Sequence, residues 1–480
     1  MRNSIIGYPR IGELRELKFW IEDYFKGNLS FERLQNNAKE LRKAQWSLLN
    51  KSRLDFIPSN DFSFYDGILD TAVLLNAIPE RYKSLGLNEL DTYFAMARGY
   101  QGERGDVKAL PMKKWFNTNY HYIVPALDDS TEIKLNSHKI FREFTEAIEI
   151  GIKTKPVIIG AFTFLKLADY NGNKKLVDFI PDVVKAYKDV FAKLNELGVE
   201  WIQIDEPILV TDLNIKDIEA ITRIYEELLK DKGKLNILIQ TYFGDIRDCY
   251  SEITALGFDG IGLDFVEGKK SLELVKEKGF PKNTTLFAGI VNGKNIWKNS
   301  YQKSLETLTE ISKYIEKDNI IINTSCSLLH LPYTLRNEEK LCENYKVHFA
   351  FAEEKLIELN ELKELFSEQN YLTNEKYKNN IALFTEKVNN VNSEIKKKLD
   401  GLTEKDFTRL PKFNERAEIQ KNFFKFPLLP TTTIGSFPQT ADVKSNRAKY
   451  KKGEITQEQY IGNVKKKIKD CIKQIGRAHV

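Results

Sequence analysis

Cysteine is scarce in this chain. Only Cys249, Cys326, Cys342 and Cys471 occur in 480 residues. They show no CxxC spacing and no close pairs, so a disulfide framework is excluded and reduced thiols are expected. No signal-type apolar run precedes the first charges of MRNSIIGYPRIGELRELKFW. Nor does any stretch approach the roughly 20 apolar residues of a membrane helix. No strong excess of one charge is present either. The 73 basic and 68 acidic residues leave a net charge of +5, too little for a global field that would gather nucleic acid. The expectation is a cytoplasmic protein with no nucleic-acid or membrane partner. A GxGxxG after the first strand is also missing, which weakens an open dinucleotide-binding sheet.

With 42% hydrophobic and 29% charged residues, the chain can build a core and exceeds one ordinary domain. Short apolar, β-rich runs alternate with amphipathic stretches. Strand candidates are Val157–Ile159, Trp201–Ile204, Ile237–Gln240, Gly260–Leu263, Leu286–Val291 and Ile320–Asn323. Helix candidates between and around them include Asp182–Leu197, Ile215–Lys230 and Tyr301–Ile315. This alternation predicts an α/β fold with a parallel sheet, best fitted by a (β/α)8 TIM barrel. From Tyr345 to Ala417 the texture turns to Lys, Glu, Asn and Leu, with Gly401 the one glycine, and reads as helices. A proline-containing stretch at Phe423–Pro430 then precedes a strand start at Thr431–Ile434.

One element recurs. Ser4-Ile5-Ile6-Gly7-Tyr8-Pro9-Arg10 near the start is echoed by Thr433-Ile434-Gly435-Ser436-Phe437-Pro438-Gln439 near the end. Each reads as a strand, a glycine, an aromatic with proline, then a polar helix. If the echo marks a second barrel, fewer residues follow it than the more than about 200 a barrel takes.

Polar residues gather at the predicted strand ends: Asp205 and Glu206, then Gln240, Tyr242 and Asp245, then Asp264, Asn292, and Ser325-Cys326-Ser327. The C-terminal ends of barrel strands carry the functional face, and Asp205 with Glu206 form a carboxylate pair suited to acid–base work. Singly, each is better read as a loop hydrogen-bonding group. Cys326 and His330 stand four apart, but a zinc site takes three or four ligands and no HxC, HExxH or CxxC accompanies them. Cys326 as a buried small hydrophobe is the better reading. Two basic segments carry aromatics: Arg10–Trp20 and Lys113–Tyr122. Such cations suit an anionic tail and such rings a planar heterocycle, although an amphipathic helix and a core strand explain them as well.

Several stretches together resemble the cobalamin-independent methionine synthase family. They are GYPRIGELRELKFWIEDYFKG, DFSFYDGILDTAVLL, KKWFNTNYHYIVP, KPVIIGAFTFL, EWIQIDEPIL, TYFGDI, AGIVNGKNIW, SCSLLHLPYTL and TTTIGSFPQT, in family order. The resemblance implies two face-to-face barrels and methyl transfer from methyltetrahydrofolate polyglutamate to homocysteine. It also implies zinc rather than cobalamin, and a monomer. It places folate contacts on Arg15, Glu16, Leu17, Lys18 and Lys114, and homocysteine contacts on Ile434, Gly435 and Ser436. The family's zinc ligands and acid histidine match no position here, so no catalytic or metal-binding residue is expected in this chain, and the chain is expected to be inactive alone. The implied organisation is 1–370 as the folate-tail-binding barrel, 371–425 as a helical linker, 426–475 as the beginning of an incomplete catalytic barrel, and 476–480 as an artefactual tail. A non-catalytic folate-binding barrel is the alternative reading. A related corrinoid-linked methyltransferase is a third, disfavoured by the N-terminal barrel.

Overall fold

The computed structural model describes residues 1–385, 392–430, 432, 435–437 and 439–477. The chain divides into two compact units, Met1–Lys387 and Val388–Val480.

Eight parallel strands form the centre of the first unit. They are β1 (Arg2–Asn3), β2 (Pro58–Ser59), β3 (Lys155–Ile159), β4 (Trp201–Asp205), β5 (Asn236–Gln240), β6 (Gly260–Asp264), β7 (Thr285–Val291) and β8 (Ile320–Thr324). Each pairs with its neighbour in chain order from β2 to β8, and β8 returns to β1 through Arg2–Ile321 and Asn3–Ile322. The ring closes where Ser4 bridges Phe56 in parallel, with the Phe56 N–H donating to Asn3 O at 3.2 Å. Closure leaves no sheet edge, which is why these strands are buried on both faces and read as continuous Ile, Leu and Val. The six predicted strands appear within two residues at either end. β1 and β2 are two residues each, too short to show a period.

Helices cover the ring. Ile215–Lys230 appears as predicted, with the Asn214 side chain accepting from Asp217 N. Asp182–Leu197 is longer than expected and runs Leu176–Glu196. The Asp178 carboxylate accepts from Lys175 N at 2.8 Å and starts the helix early, so Pro181 falls inside it. The helical texture after Tyr345 begins with a barrel element: Ala352–Ser367 buries Leu356, Leu359, Leu362 and Leu365 against the core. Glu375–Thr385 also belongs to this unit, because Asn380 donates to Asn299 O and accepts from Tyr301 N.

The second unit contains the helices Ser393–Asp400, Phe413–Phe424, Ala441–Lys451 and Gln457–Arg477. The last two pair, with Tyr450 and Tyr460 stacked at 4.8 Å. Thr431, Thr433 and Ile434, the core of the expected strand start, lie outside the described residues. Among the described residues no helix is long and apolar enough to cross a membrane.

Candidate functional site

The C-terminal ends of the strands open onto a cavity of about 130 Å³. Asp61, Asp205 and Tyr242 in its lining belong to a buried polar group that runs deeper into the barrel. The Lys155 ammonium donates to Ile5 O at 2.9 Å and to the Gln203 side chain. Gln203 passes the contact on, donating to Asp205 Oδ1 at 2.7 Å and to Ile6 O at 3.1 Å. The Tyr242 hydroxyl donates to Asp205 Oδ2 at 3.1 Å. Burial pushes the Lys155 ammonium down and the Asp205 carboxyl up, each partly offset by the other's charge. Asp61, beside them, accepts from Tyr8 N at 2.8 Å, and burial raises it to about 6. Such carboxyls can hold or release a proton near neutrality.

Asp205 and Glu206 do not act as a pair. Adjacent strand residues face opposite sides. Asp205 turns into the barrel mouth, while Glu206 turns outward to the helix Ala161–Leu167. There it accepts from Phe162 N at 3.0 Å, Thr163 N at 2.7 Å and the Tyr225 hydroxyl at 2.5 Å. Gly160 makes this fit: a Cβ there would lie 2.1 Å from the Glu206 carboxyl carbon. Most other strand-end groups hold loops. Asp264 accepts from Phe243, Val266 and Glu267 N–H groups, and Asn292 from those of Lys294 and Asn295. Asp245 accepts from Arg247 and Lys270, Ser325 from Gly293, and Ser327 from Leu329. Gln240 is buried inside the barrel, accepting from Asn323 at 3.1 Å.

A hairpin of Met112–Lys114 and His121–Ile123 roofs the mouth. Trp115 and Phe116 in its turn pack on Ile6, Tyr242, Phe243 and Cys326. Phe116 and Phe243 both hold left-handed backbone, φ 49° and 74°, and their rings meet at 5.8 Å. Non-glycine residues in that region store strain of about 1–3 kcal/mol, kept only where surroundings enforce it. Here Asn117 supplies the anchor, donating to Glu267 at 3.0 Å and accepting from Lys294 at 3.1 Å. His330 packs between Tyr120 and Phe243, and burial lowers it to about 4, so its ring is neutral. Burial pushes the neighbouring Cys326 thiol up, away from thiolate.

Residues 2–316 match the family model "Cobalamin-independent synthase, N-terminal domain", and residues 429–480 match "Cobalamin-independent synthase, Catalytic domain". The chain belongs to the cobalamin-independent methionine synthase family. It is 53% identical over 474 residues to the 5-methyltetrahydropteroyltriglutamate–homocysteine methyltransferase of Campylobacter jejuni subsp. doylei, across 98% of this chain and 62% of that protein. Against the enzyme of the same name from Lactococcus lactis subsp. lactis it is 52% identical over 473 residues, with the same two coverages. The chain therefore spans about 62% of the length of these relatives. Among solved structures, the putative vitamin-B12-independent methionine synthase of Listeria monocytogenes aligns with TM-score 0.54 at 13% identity, over 77% of this chain and 98% of that one. A B12-independent methionine synthase from Shewanella aligns with TM-score 0.50 at 12% identity, over 71% and 92%. At such identities these two show the barrel fold.

Within this chain the resemblance-derived positions fall as follows. Arg15 holds left-handed backbone, φ 67°, just before the helix Glu16–Phe25. Glu16 turns back to accept from Leu14 N at 3.1 Å. Leu17 is fully buried with Ala38 and Phe62. Lys18 is half-exposed and pairs with Glu22 at 3.6 Å. Lys114 is exposed on the hairpin, and Gly435 and Ser436 are exposed in the second unit. Ile434 lies outside the described residues. Asp61 and Lys155 were missed as site residues: β2 is too short to announce Asp61, and Lys155 reads as a strand-flanking lysine. The donor set does not fit the family's zinc. Among the described residues no three His, Cys, Asp or Glu side chains are placed to hold a metal ion, and Cys326 with His330 are committed to packing.

Proposed function

We propose that this chain supplies the folate-tail-binding barrel of a methyltransferase that moves a methyl group from 5-methyltetrahydropteroyltriglutamate to homocysteine, giving methionine. The names of the half-identical relatives support the reaction. The observation that carries the binding role is the hairpin: Trp115 and Phe116 fix it to the barrel mouth, while Lys114 on its strand meets solvent. A cation on an anchored platform suits the carboxylates of a glutamate tail, because little freedom is lost on binding. Lys18, steadied by Glu22 one helical turn on, is the second such cation. Leu17 serves by packing, since its side chain lies in the core. Ile434, Gly435 and Ser436 are assigned to homocysteine, and the zinc that would keep its sulfur a thiolate draws on ligands other than the residues described here.

Calorimetric titration with methyltetrahydrofolate triglutamate and monoglutamate tests this reading. Lys18→Ala and Lys114→Ala should each weaken the triglutamate by about twofold to tenfold, as expected for partly exposed charge-assisted contacts. The monoglutamate should be unaffected. Equal losses on both ligands would make the lysines structural and overturn the assignment.

A further inference from the structure

Lys114 belongs to a hairpin three residue pairs long: Met112–Ile123, Lys113–Tyr122 and Lys114–His121. A two-stranded ribbon is marginal by itself in water, so its geometry is set by what holds it. This one is held from three directions. At its side Lys113 pairs with Asp169 at 3.1 Å. Inside the turn, Trp115 N donates to Tyr120 O at 2.8 Å, and the Thr118 hydroxyl donates to Trp115 O at 2.6 Å. At the tip, the Asn117 amide donates to Glu267 Oε2 at 3.0 Å and accepts from Lys294 Nζ at 3.1 Å, while Lys294 and Glu267 also pair with each other.

The two charges at the tip are themselves fixed by the barrel. Glu267 N donates to Asp264 Oδ1 at 2.9 Å, and Lys294 N donates to Asn292 Oδ1 at 2.8 Å. Asp264 ends β6 and is 1% exposed, and Asn292 directly follows β7. Asp264 also accepts from Phe243 N at 3.1 Å, and the Lys294 ammonium stands over the Phe243 ring at 5.3 Å. Two strand ends thus place two loop charges, and both charges meet on one amide. Asparagine suits that point because its side chain offers donors to the carboxylate and an acceptor to the ammonium at once. The opposite charges cancel, so the clamp adds no net charge to compete for an anion with Lys114.

We infer that Asn117, Glu267 and Lys294 are positioning residues for Lys114, and that through it they set the preference of the barrel for a glutamate tail of several carboxylates over a single one. The inference rests on the folate-tail reading above. With the clamp broken, the hairpin keeps its aromatic packing but its tip is released. The strand that carries the ammonium must then be ordered at the moment of binding, which weakens the contact. A monoglutamate carries the same heterocycle with one glutamate, so its binding reports general damage to the barrel rather than the aim of Lys114.

Calorimetric titration of the 480-residue chain with methyltetrahydrofolate triglutamate and monoglutamate reads this as a ratio of affinities. Asn117→Ala should weaken the triglutamate about twofold to fivefold and leave the monoglutamate unchanged. Glu267→Ala and Lys294→Met should act alike, whereas Lys294→Arg, which keeps a donor for Asn117, should retain the preference. The double variant Asn117→Ala/Lys114→Ala should be no weaker than Lys114→Ala alone, because groups that act through one contact do not add. Without ligand, the Trp115 and Thr118 amides should exchange at least about tenfold faster in Asn117→Ala. Losses that multiply in the double variant, equal losses on both ligands, a loss in Lys294→Arg as large as in Lys294→Met, or unchanged exchange would overturn the inference. Lys114→Ala tells its failure from that of the folate-tail reading. An intact preference in Lys114→Ala, or no triglutamate binding by the unaltered chain, sinks both. A preference lost in Lys114→Ala but kept in Asn117→Ala sinks the clamp alone.

Discussion

The helices Ala352–Ser367 and Phe413–Phe424 read alike in the sequence, each a charged stretch with regularly spaced large apolar residues. Their fates differ. Leu356, Leu359, Leu362 and Leu365 of the first are at most 1% exposed, whereas Phe413, Ile419, Phe423 and Phe424 of the second are 72%, 57%, 78% and 52% exposed. Local propensity and hydrogen bonding make a helix in both places. The first lies on a closed sheet, and tertiary packing supplies most of a helix's stability. Periodicity thus announces which face seeks burial and says nothing about whether a partner is there.

Hydrogen exchange offers the sharpest break of this comparison. Amides of Trp201–Asp205, inside the ring, should exchange at least on the order of a thousandfold more slowly than those of Phe413–Phe424, because opening the strand requires something near global unfolding. Comparable protection would show that the second helix is packed after all. Next in size is a pair of truncations followed by urea unfolding. Leu359→Ala should cost the first unit about 2–5 kcal/mol. Phe423→Ala should change stability by less than about 0.5 kcal/mol. Similar losses would equate the two helices.

The smallest effect concerns acid. His330 sits buried and neutral in the first unit, lowered from 6.5 to about 4 by desolvation and then by Lys294, against an opposing pull from Glu267. Its contribution to stability is present above the unfolded value and is lost as pH falls through the folded one, because the unfolded chain takes up the proton first. The first unit should therefore lose on the order of 2 kcal/mol through this group between pH 6.5 and 4. His330→Gln should flatten that limb, measured as urea midpoints against pH. The variant isolates His330 from Asp61, whose burial-raised carboxyl works in the opposite sense, favouring the fold more as pH falls. An unchanged acid limb in the variant would place the sensitivity elsewhere.

Much of the barrel was legible because its strands are buried on both faces and so appear as uninterrupted apolar runs. Pro58–Ser59 was not, since two residues carry no period and the proline argues against a strand. The mouth was half legible. Asp205 followed from its place at a strand end, but its neighbour Glu206 was grouped with it by adjacency in sequence, which strand alternation forbids. Lys155 begins an apolar run and looks like a flanking charge, yet it turns inward to reach Ile5 and Gln203. The homocysteine positions came from family resemblance alone, whereas the folate positions lie in two basic, aromatic-flanked segments that an amphipathic helix and a core strand explain as well.

The bridge from Ser4 to Phe56 and the pairing of Arg2 and Asn3 with Ile321 and Ile322 make the first strand the neighbour of the last. During synthesis this has a cost in time. Arg2 and Asn3 leave the ribosome more than 300 residues ahead of their β8 partners, a wait of roughly 15–60 s at ordinary elongation rates. Until then one side of the first strand has no ladder partner from its own ring. Nascent chains of this protein should therefore depend most on chaperones just before Ile320–Thr324 emerges, and least just after.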